Sequence, residues 1–383
     1  MFSLLNTDKS IEDIIYELKE THKLYVREEE NTDLVLIKYD RNKSNFDEAI
    51  VNECRGIVVT REKKIICFPP ERSIPLDRMT EIVGTNTSSV RYEEHIDGTM
   101  INVFYNPNNN TWIKSTRSRI GANCSWLCNE TFATLFSEAS NDMDFNILDK
   151  ELCYTFVLVH PKNRIVVKYD TQFICLVTVR RIGATSYENI SLESVQASLL
   201  EKGFSVKIPK VYKFETIEKM REHVSKQDAR TQGIIVKYEN YRAKMRNAEY
   251  VMLKMLKGNT PNIADLYLRL RKERKVKPFL KHFKEYRSKF NEIRDDIHQI
   301  TYRLYNWYVN VFINKYCKSG EIPYEFKPHC SNLHKQYIDG IKNKRRQRIT
   351  LNKVISYVNQ LPIYSLIYIR KHYTERINNI INE

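Results

Sequence analysis

The sequence predicts an α+β protein, with a β-rich part over residues 1–250 followed by an all-helical part over residues 251–383. Three observations predict it. Before residue 250 the apolar residues come in short runs, such as Leu34-Val35-Leu36-Ile37, bounded by Gly, Pro, Asn and Asp, the spacing of strands and turns. Beyond it the period changes. Phe279, Phe283, Tyr286, Phe290, Ile293, Ile297, Ile300, Leu304, Trp307 and Val311 alternate steps of four and three, the seam of a long amphipathic helix with at most one break. The charge changes at the same place: 27 of the 62 Lys and Arg, but only 11 of the 47 Asp and Glu, lie from Val251 onward, a net +16 against −1 for the rest.

Taken in order, Ile11, Ile14, Ile15, Leu18 and Leu24 are close to helical spacing, with Asp8 or Ser10 as the N-cap. Strands are expected at Leu34–Ile37 and after Asn52-Glu53-Cys54-Arg55-Gly56, the next one ending at Pro69-Pro70 because proline cannot donate to a central ladder. Tyr92-Glu93-Glu94-His95-Ile96-Asp97-Gly98 reads as an acidic tight turn, its Gly supplying φ > 0, that runs into the strand Ile101–Tyr105. That strand pairs with residues 112–118 across Asn106-Pro107-Asn108-Asn109-Asn110. Residues 121–140 read as a helix with Cys124 and Cys128 on one face. Strands at 152–159, 165–167 and 173–179 follow, then helices near 191–202 and 215–226 and strands at 231–237 and 242–246. A linker at about 318–330 separates the long helical seam from shorter helices, among them 350–360 and 363–380. Cys317, His329, Cys330 and His334 match no common zinc spacing, so no metal is assigned to them.

No apolar run approaches the roughly 18–20 residues that span a bilayer, and Met1–Asp8 lacks the charged start and apolar core of a signal peptide. The expectation is a soluble, cytoplasmic protein with reduced, core-buried cysteines and no membrane insertion. Heavy use of Asn, Ile, Lys and Tyr hints at an AT-rich genome, such as that of a large cytoplasmic DNA virus. The concentrated positive charge points to a polyanion, RNA before others, with Lys342, Lys344, Arg345, Arg346 and Arg348 as candidate contacts. Solvated helix faces are the bland alternative.

Several stretches together resemble the bacteriophage RNA ligase 1 family of covalent nucleotidyltransferases, in the family's order. Glu53-Cys54-Arg55-Gly56 is similar to the segment before the nucleophile, and His95-Ile96-Asp97-Gly98 stands where the family has Lys-x-Asp-Gly. Lys114-Ser115 lies in the next strand. Phe156-Val157-Leu158-Val159-His160-Pro161-Lys162-Asn163-Arg164-Ile165 resembles the third motif, Gln232-Gly233-Ile234 the fourth, and Lys244-Met245-Arg246 the closing Lys-x-Lys. The resemblance implies an antiparallel β-rich nucleotidyltransferase domain, ATP-grasp-like, over 1–250 and a basic all-helical domain over 251–383. It also implies ligation through a lysyl-AMP formed with ATP and a divalent metal, with RNA, tRNA-like RNA included, as partner.

The chain departs from the family where the chemistry is concentrated. His95 replaces the nucleophile, Val157 and Gln232 replace glutamates that help hold nucleotide and metal, and Arg246 replaces the second closing lysine. Losing one preorganised group commonly costs about 10²–10³ in rate, and a nucleophile more. The expectation is a pseudoenzyme that keeps an anion pocket of Arg55, Asp97, Gly98, Lys114, Lys244 and Arg246. Residual ATP or phosphate binding goes with that pocket, without a resident metal; Mg would enter only if the site were active. Two alternatives stay open: an active ligase using His95, and a structural or oligomeric protein whose basic helices meet an acidic protein partner.

Overall fold

The first strand follows an amphipathic helix, Ile11–Glu20, capped by Ser10, whose hydroxyl accepts from the Asp13 amide. In the computed structural model, which describes residues 1–30, 32–343 and 348–382, the strands are β1 (Leu24–Glu28), β2 (Leu34–Tyr39), β3 (Arg55–Thr60), β4 (Ile65–Cys67), β5 (Arg91–Glu94), β6 (Thr99–Asn106), β7 (Thr111–Ser115), β8 (Leu152–Val159), β9 (Phe173–Ile182), β10 (Tyr187–Asn189), β11 (Val211–Tyr212), β12 (Gly233–Tyr238) and β13 (Tyr241–Arg246). They form three antiparallel sheets, ordered β1-β2-β3-β4, β10-β9-β8-β6-β7 and β11-β5-β12-β13. The chain divides into two units, Met1–Met255 and Leu256–Glu383.

Alternation decides what each sheet buries. In the second sheet Ile101, Val103, Phe156, Leu158 and Leu176 pack beneath the helices Phe132–Ala139 and Leu192–Glu201. In the third, Tyr92, Ile234, Val236 and Ala243 pack against the helices Leu76–Val83 and Ile217–Ser225. The odd residues of β5 and β12 and the even residues of β13 are therefore left on the opposite face, in register: Glu93 faces Ile235, which faces Lys244.

Four expectations about elements change. Tyr92-Glu93-Glu94 is not a turn but β5, and the Asp97-Gly98 link does not close a hairpin, because β5 and β6 belong to different sheets. Only Phe132–Ala139 of residues 121–140 is helical, capped by Thr131. The preceding stretch folds back on itself, with left-handed Gly121, Ala122 and Leu127 and the Phe132 and Ala133 amides bonded to the Cys124 and Ala122 carbonyls, so Cys124 and Cys128 do not share a helix face. Ile165-Val166-Val167 forms no strand, since the amides of Val166 and Val167 are engaged by Asp97. The linker at 318–330 is shorter than expected, because Pro328 sits within the first turn of the helix Lys327–Lys342, where a missing N–H costs nothing.

In the second unit the long seam departs from α-helix twice: a 3₁₀ turn, Lys284–Tyr286, separates Val276–His282 from Arg287–Tyr308, and the last seam position, Val311, lies in a π-helical turn, Val309–Ile313. The first departure is packed by stacked rings, with the Phe279 and Phe283 centroids 4.7 Å apart. The final helix, Ile363–Asn382, lies where the sequence places it, within two residues at its end. Its Arg376 donates from Nε and Nη2 to the two oxygens of the buried carboxylate of Glu325, each at 2.9 Å. His329 Nδ1 lies 2.9 Å from the Tyr357 hydroxyl and the His334 ring stacks on Phe312, so both rings are engaged in local packing. Among the described residues no helix is long and apolar enough to cross a membrane.

Candidate anion-binding site

The Asp97-Gly98 link passes from one sheet to another hard against β8, and this close approach accounts for the glycine. A Cβ at Gly98 would stand 2.3 Å from the Leu158 carbonyl oxygen and 2.6 Å from a Val157 methyl. Its φ lies outside the left-handed region, so room and not conformational freedom is what glycine supplies here. Asp97 is buried and saturated. Its Oδ2 accepts from the Val166 and Val167 amides, both at 2.9 Å, and its Oδ1 accepts from the Tyr250 hydroxyl at 2.6 Å.

Beside this link lies a cleft of about 270 Å³. Its floor is the open face of β5, β12 and β13, which carries Glu93, His95, Arg242, Lys244 and Arg246. Val157 and Met100 come from the second sheet and Arg55 and Tyr39 from the first. Glu93 is buried and fully used, holding Arg91 Nε at 2.7 Å and Lys237 Nζ at 2.7 Å. The cations have no such partners. Arg55 donates to the Pro70 carbonyl at 3.1 Å and Arg117 to the Tyr39 hydroxyl at 3.3 Å. Among the described residues no carboxylate within salt-bridge distance reaches Arg55, Arg117, Arg242, Lys244, Arg246 or Lys254. Crowding shows in their protonation. Burial, helped by Arg246, Arg242 and Arg55, pushes the Lys244 ammonium down to about 7 even though its side chain keeps solvent contact. Burial also lowers Lys254 and Arg242, which nonetheless remains a cation.

His95 sits in the middle of this field. Burial first, then Arg242, Arg246 and Lys244, hold its pKa well below the ordinary 6.5, so the ring is neutral. With the Gln232 amide turned so that each atom meets a complementary group, its nitrogen donates to the Ile96 carbonyl at 3.0 Å, while its oxygen accepts from Arg246 Nε at 3.1 Å and His95 Nε2 at 3.3 Å. A carboxylate at residue 232 could not donate to Ile96. The Nε2–H···Gln232 bond leaves Nδ1 as the bare ring nitrogen, and Nδ1 is buried without a partner.

No family model matches the sequence. The chain is 24% identical over 227 residues to a protein described as a bifunctional polynucleotide kinase/RNA ligase of Autographa californica nuclear polyhedrosis virus. That match takes in 54% of this chain and 31% of the relative, so the chain spans about a third of that protein's length. Similar solved structures include one described as an ATP-dependent DNA ligase from Aquifex aeolicus, at 17% identity and a TM-score of 0.44, covering 78% of this chain and 81% of that one. An archaeal ATP-dependent RNA ligase aligns at 14% identity and a TM-score of 0.41 over 73% of this chain and 75% of its own.

Of the residues singled out from the sequence, the cleft brings together Arg55, His95, Asp97, Gly98, Val157, Gln232, Lys244 and Arg246. Lys114 is elsewhere. It shares the face of Trp112 on β7, donates to Ser137 Oγ at 3.2 Å and lies over the Phe145 ring, beneath the helix Phe132–Ala139. Lys342 and Arg348 are exposed, while Lys344, Arg345 and Arg346 lie outside the described residues. Sequence reasoning missed Arg117, Arg242 and Lys254. Arg242 was within reach, since it precedes Lys244 and Arg246 at the strand period of two.

A divalent metal, which the resemblance implies, does not fit this donor set. The Asp97 oxygens are taken by three donors, Glu93 is held by two cations, Val157 has no polar atom and Gln232 is engaged, which leaves Glu94 as the one lining carboxylate without a hydrogen-bond or ion-pair partner among the described residues. A divalent cation held by the protein alone takes about six oxygens, and one free carboxylate does not supply them. Among the described residues no group of three or more His, Cys, Asp or Glu is placed to hold one.

Proposed function

We propose that this chain is a ligase-like protein that has kept the phosphate-binding cleft of an RNA ligase, has lost covalent nucleotidyl transfer, and serves in RNA binding or assembly. The ligase-like part is supported by the order of the motifs and by the similarity to the kinase/ligase described above. The loss of transfer rests on one observation: neither nitrogen of His95 is free to attack. Nε2 faces Gln232, and Nδ1 is sealed in the protein. Attack on an α-phosphate needs an exposed lone pair within about 3–3.5 Å of phosphorus, and no step can be routed through an atom that solvent cannot touch.

Incubation of the full chain with α-labelled ATP or GTP, with Mg²⁺ or Mn²⁺, is expected to give no covalent label. His95→Lys is expected to stay unlabelled too, because Val157 and Gln232 still replace the two glutamates. An acid-labile adduct that disappears in His95→Ala would overturn this reading and establish His95 as the nucleophile.

A further inference from the structure

We infer that the cleft holds a linear triphosphate group directly on side-chain cations, with no divalent metal ion. The inference rests on the reading that the cleft binds phosphate, and it adds what kind of phosphate and by what means.

Arg242, Lys244 and Arg246 occupy alternate positions of one strand and line the same cleft. Their backbone positions are about 6.6 Å apart at each step, so together they form a row longer than a single phosphate and suited to a chain of them. Arg55 and Arg117 line the cleft too, from β3 and from the segment after β7. Each of these two donates to a neutral oxygen through one guanidinium nitrogen, Pro70 carbonyl and Tyr39 hydroxyl respectively, which leaves charge and further N–H groups for a ligand. The unit that contains them is close to neutral overall, with 35 basic and 36 acidic residues in its first 250, so the cationic cleft is a local segregation of charge. Cations crowded without ion-pair contacts in a partly desolvated site repel one another, and a multivalent anion is the ligand that relieves all of them at once.

Metal-bound nucleotide is the alternative, and two features disfavour it. Of the lining carboxylates Asp97 and Glu93 are spent on protein donors and Glu94 alone is left, so the phosphates are neutralised chiefly by Arg and Lys. The volume of about 270 Å³ is also slightly below the usual range for pockets that enclose a whole organic ligand, roughly 300–1,000 Å³. A short phosphate chain fits with a nucleoside, or the rest of an RNA, left outside. Inorganic tripolyphosphate, the triphosphate of ATP and a 5′-triphosphate on RNA share this chemistry.

The test is calorimetry on the full chain at constant ionic strength, with orthophosphate, pyrophosphate, tripolyphosphate, AMP, ATP and a 5′-triphosphorylated oligonucleotide, in EDTA and in Mg²⁺. Tripolyphosphate should bind in EDTA at least about tenfold tighter than orthophosphate, the effect of one added charge-assisted hydrogen bond. ATP should match tripolyphosphate, AMP should be far weaker, and an oligonucleotide that exceeds both would identify RNA ends as the source. Lys244→Gln and Arg246→Gln should each lower tripolyphosphate affinity about tenfold. Lys244 keeps solvent contact, so Lys244→Gln preserves a folded variant if the more buried Arg242→Gln does not fold. Tripolyphosphate binding no tighter than orthophosphate, a strict need for Mg²⁺, or full affinity in both variants would each overturn the inference. Retained binding of 5′-monophosphorylated RNA, lost in the Arg55→Ala/Lys244→Ala double variant, would then leave the phosphate-binding reading standing. Covalent labelling by α-labelled ATP would sink the loss of transfer while leaving metal-free triphosphate binding to be judged on its own data.

Discussion

At the scale of residues, the buried titratable groups of the cleft give the protein a one-sided pH response. His95 titrates near 6.5 when unfolded and well below it when folded, so below about pH 6.5 the unfolded chain binds the extra proton and stability falls. Lys244 has the same sign at higher pH: its folded value is about 7 against 10.5, so between these limits the unfolded chain again holds more protons and stability rises with pH. Urea denaturation across pH 5 to 9 should show both limbs, with the acid limb flattened in His95→Leu and the alkaline limb in Lys244→Gln. An unchanged acid limb in His95→Leu would mean that His95 is already charged in the fold. The resemblance of the motifs singled out His95, Val157 and Gln232, and the structure brings the three to one cleft. The resemblance did not reveal that Gln232 is the hydrogen-bond partner of His95, since that depends on the crossing of β5 and β12. Lys114 was misplaced for a related reason: strand membership was legible, but the parity that turns it away from the cleft was set by the helix covering the other face.

At the scale of elements, Asp97 joins three segments that sequence distance keeps apart: the β5–β6 link, the turn at Val166-Val167 and the helix beginning at Ala248, through Tyr250. The local Asp-Gly signal was read as a hairpin turn because Asp and Gly favour turns wherever they occur, and only the topology shows that the carboxylate replaces the ladder Val166 and Val167 lack. Most strands, and the pairing of β6 with β7, were legible because alternation and turn signals are local properties, whereas the order of strands within the three sheets was not. The stretch at 121–131 was not, because its helix-compatible residues are diverted by left-handed positions at Gly121, Ala122 and Leu127. Asp97→Ala strands two buried amides and one hydroxyl, each bonded to a charged acceptor in the native state, and should cost about 3 kcal/mol or more. Tyr250→Phe removes one of the three bonds and should cost about 1–2 kcal/mol. Equal losses in the two variants, measured by chemical denaturation, would mean that the amides find other partners.

At the scale of the whole molecule, two distributions of positive charge coexist and differ in kind. In the first unit cations converge on a small cleft within a nearly neutral chain. In the second, 26 basic against 11 acidic residues from Leu256 onward give a net +15 that is spread along the chain, with Lys342 and Arg348 exposed at either side of 344–347. A converging set suits a compact anion, and a spread set suits an extended one, whose binding releases counterions in proportion to the phosphates neutralised. RNA affinity of the full chain should therefore fall linearly with salt on logarithmic axes, with a slope of about −0.7 for each phosphate contact to a single strand. Replacing both Lys342 and Arg348 with Gln should make that slope shallower by about 1.4 and weaken all sequences alike, whereas Lys244→Gln should reduce tripolyphosphate binding and leave most of the salt slope intact. Fluorescence anisotropy from 50 to 200 mM salt separates the two. An unchanged slope in the Lys342/Arg348 double variant would assign those side chains to solvated helix faces and favour an acidic protein as the partner of the helical unit.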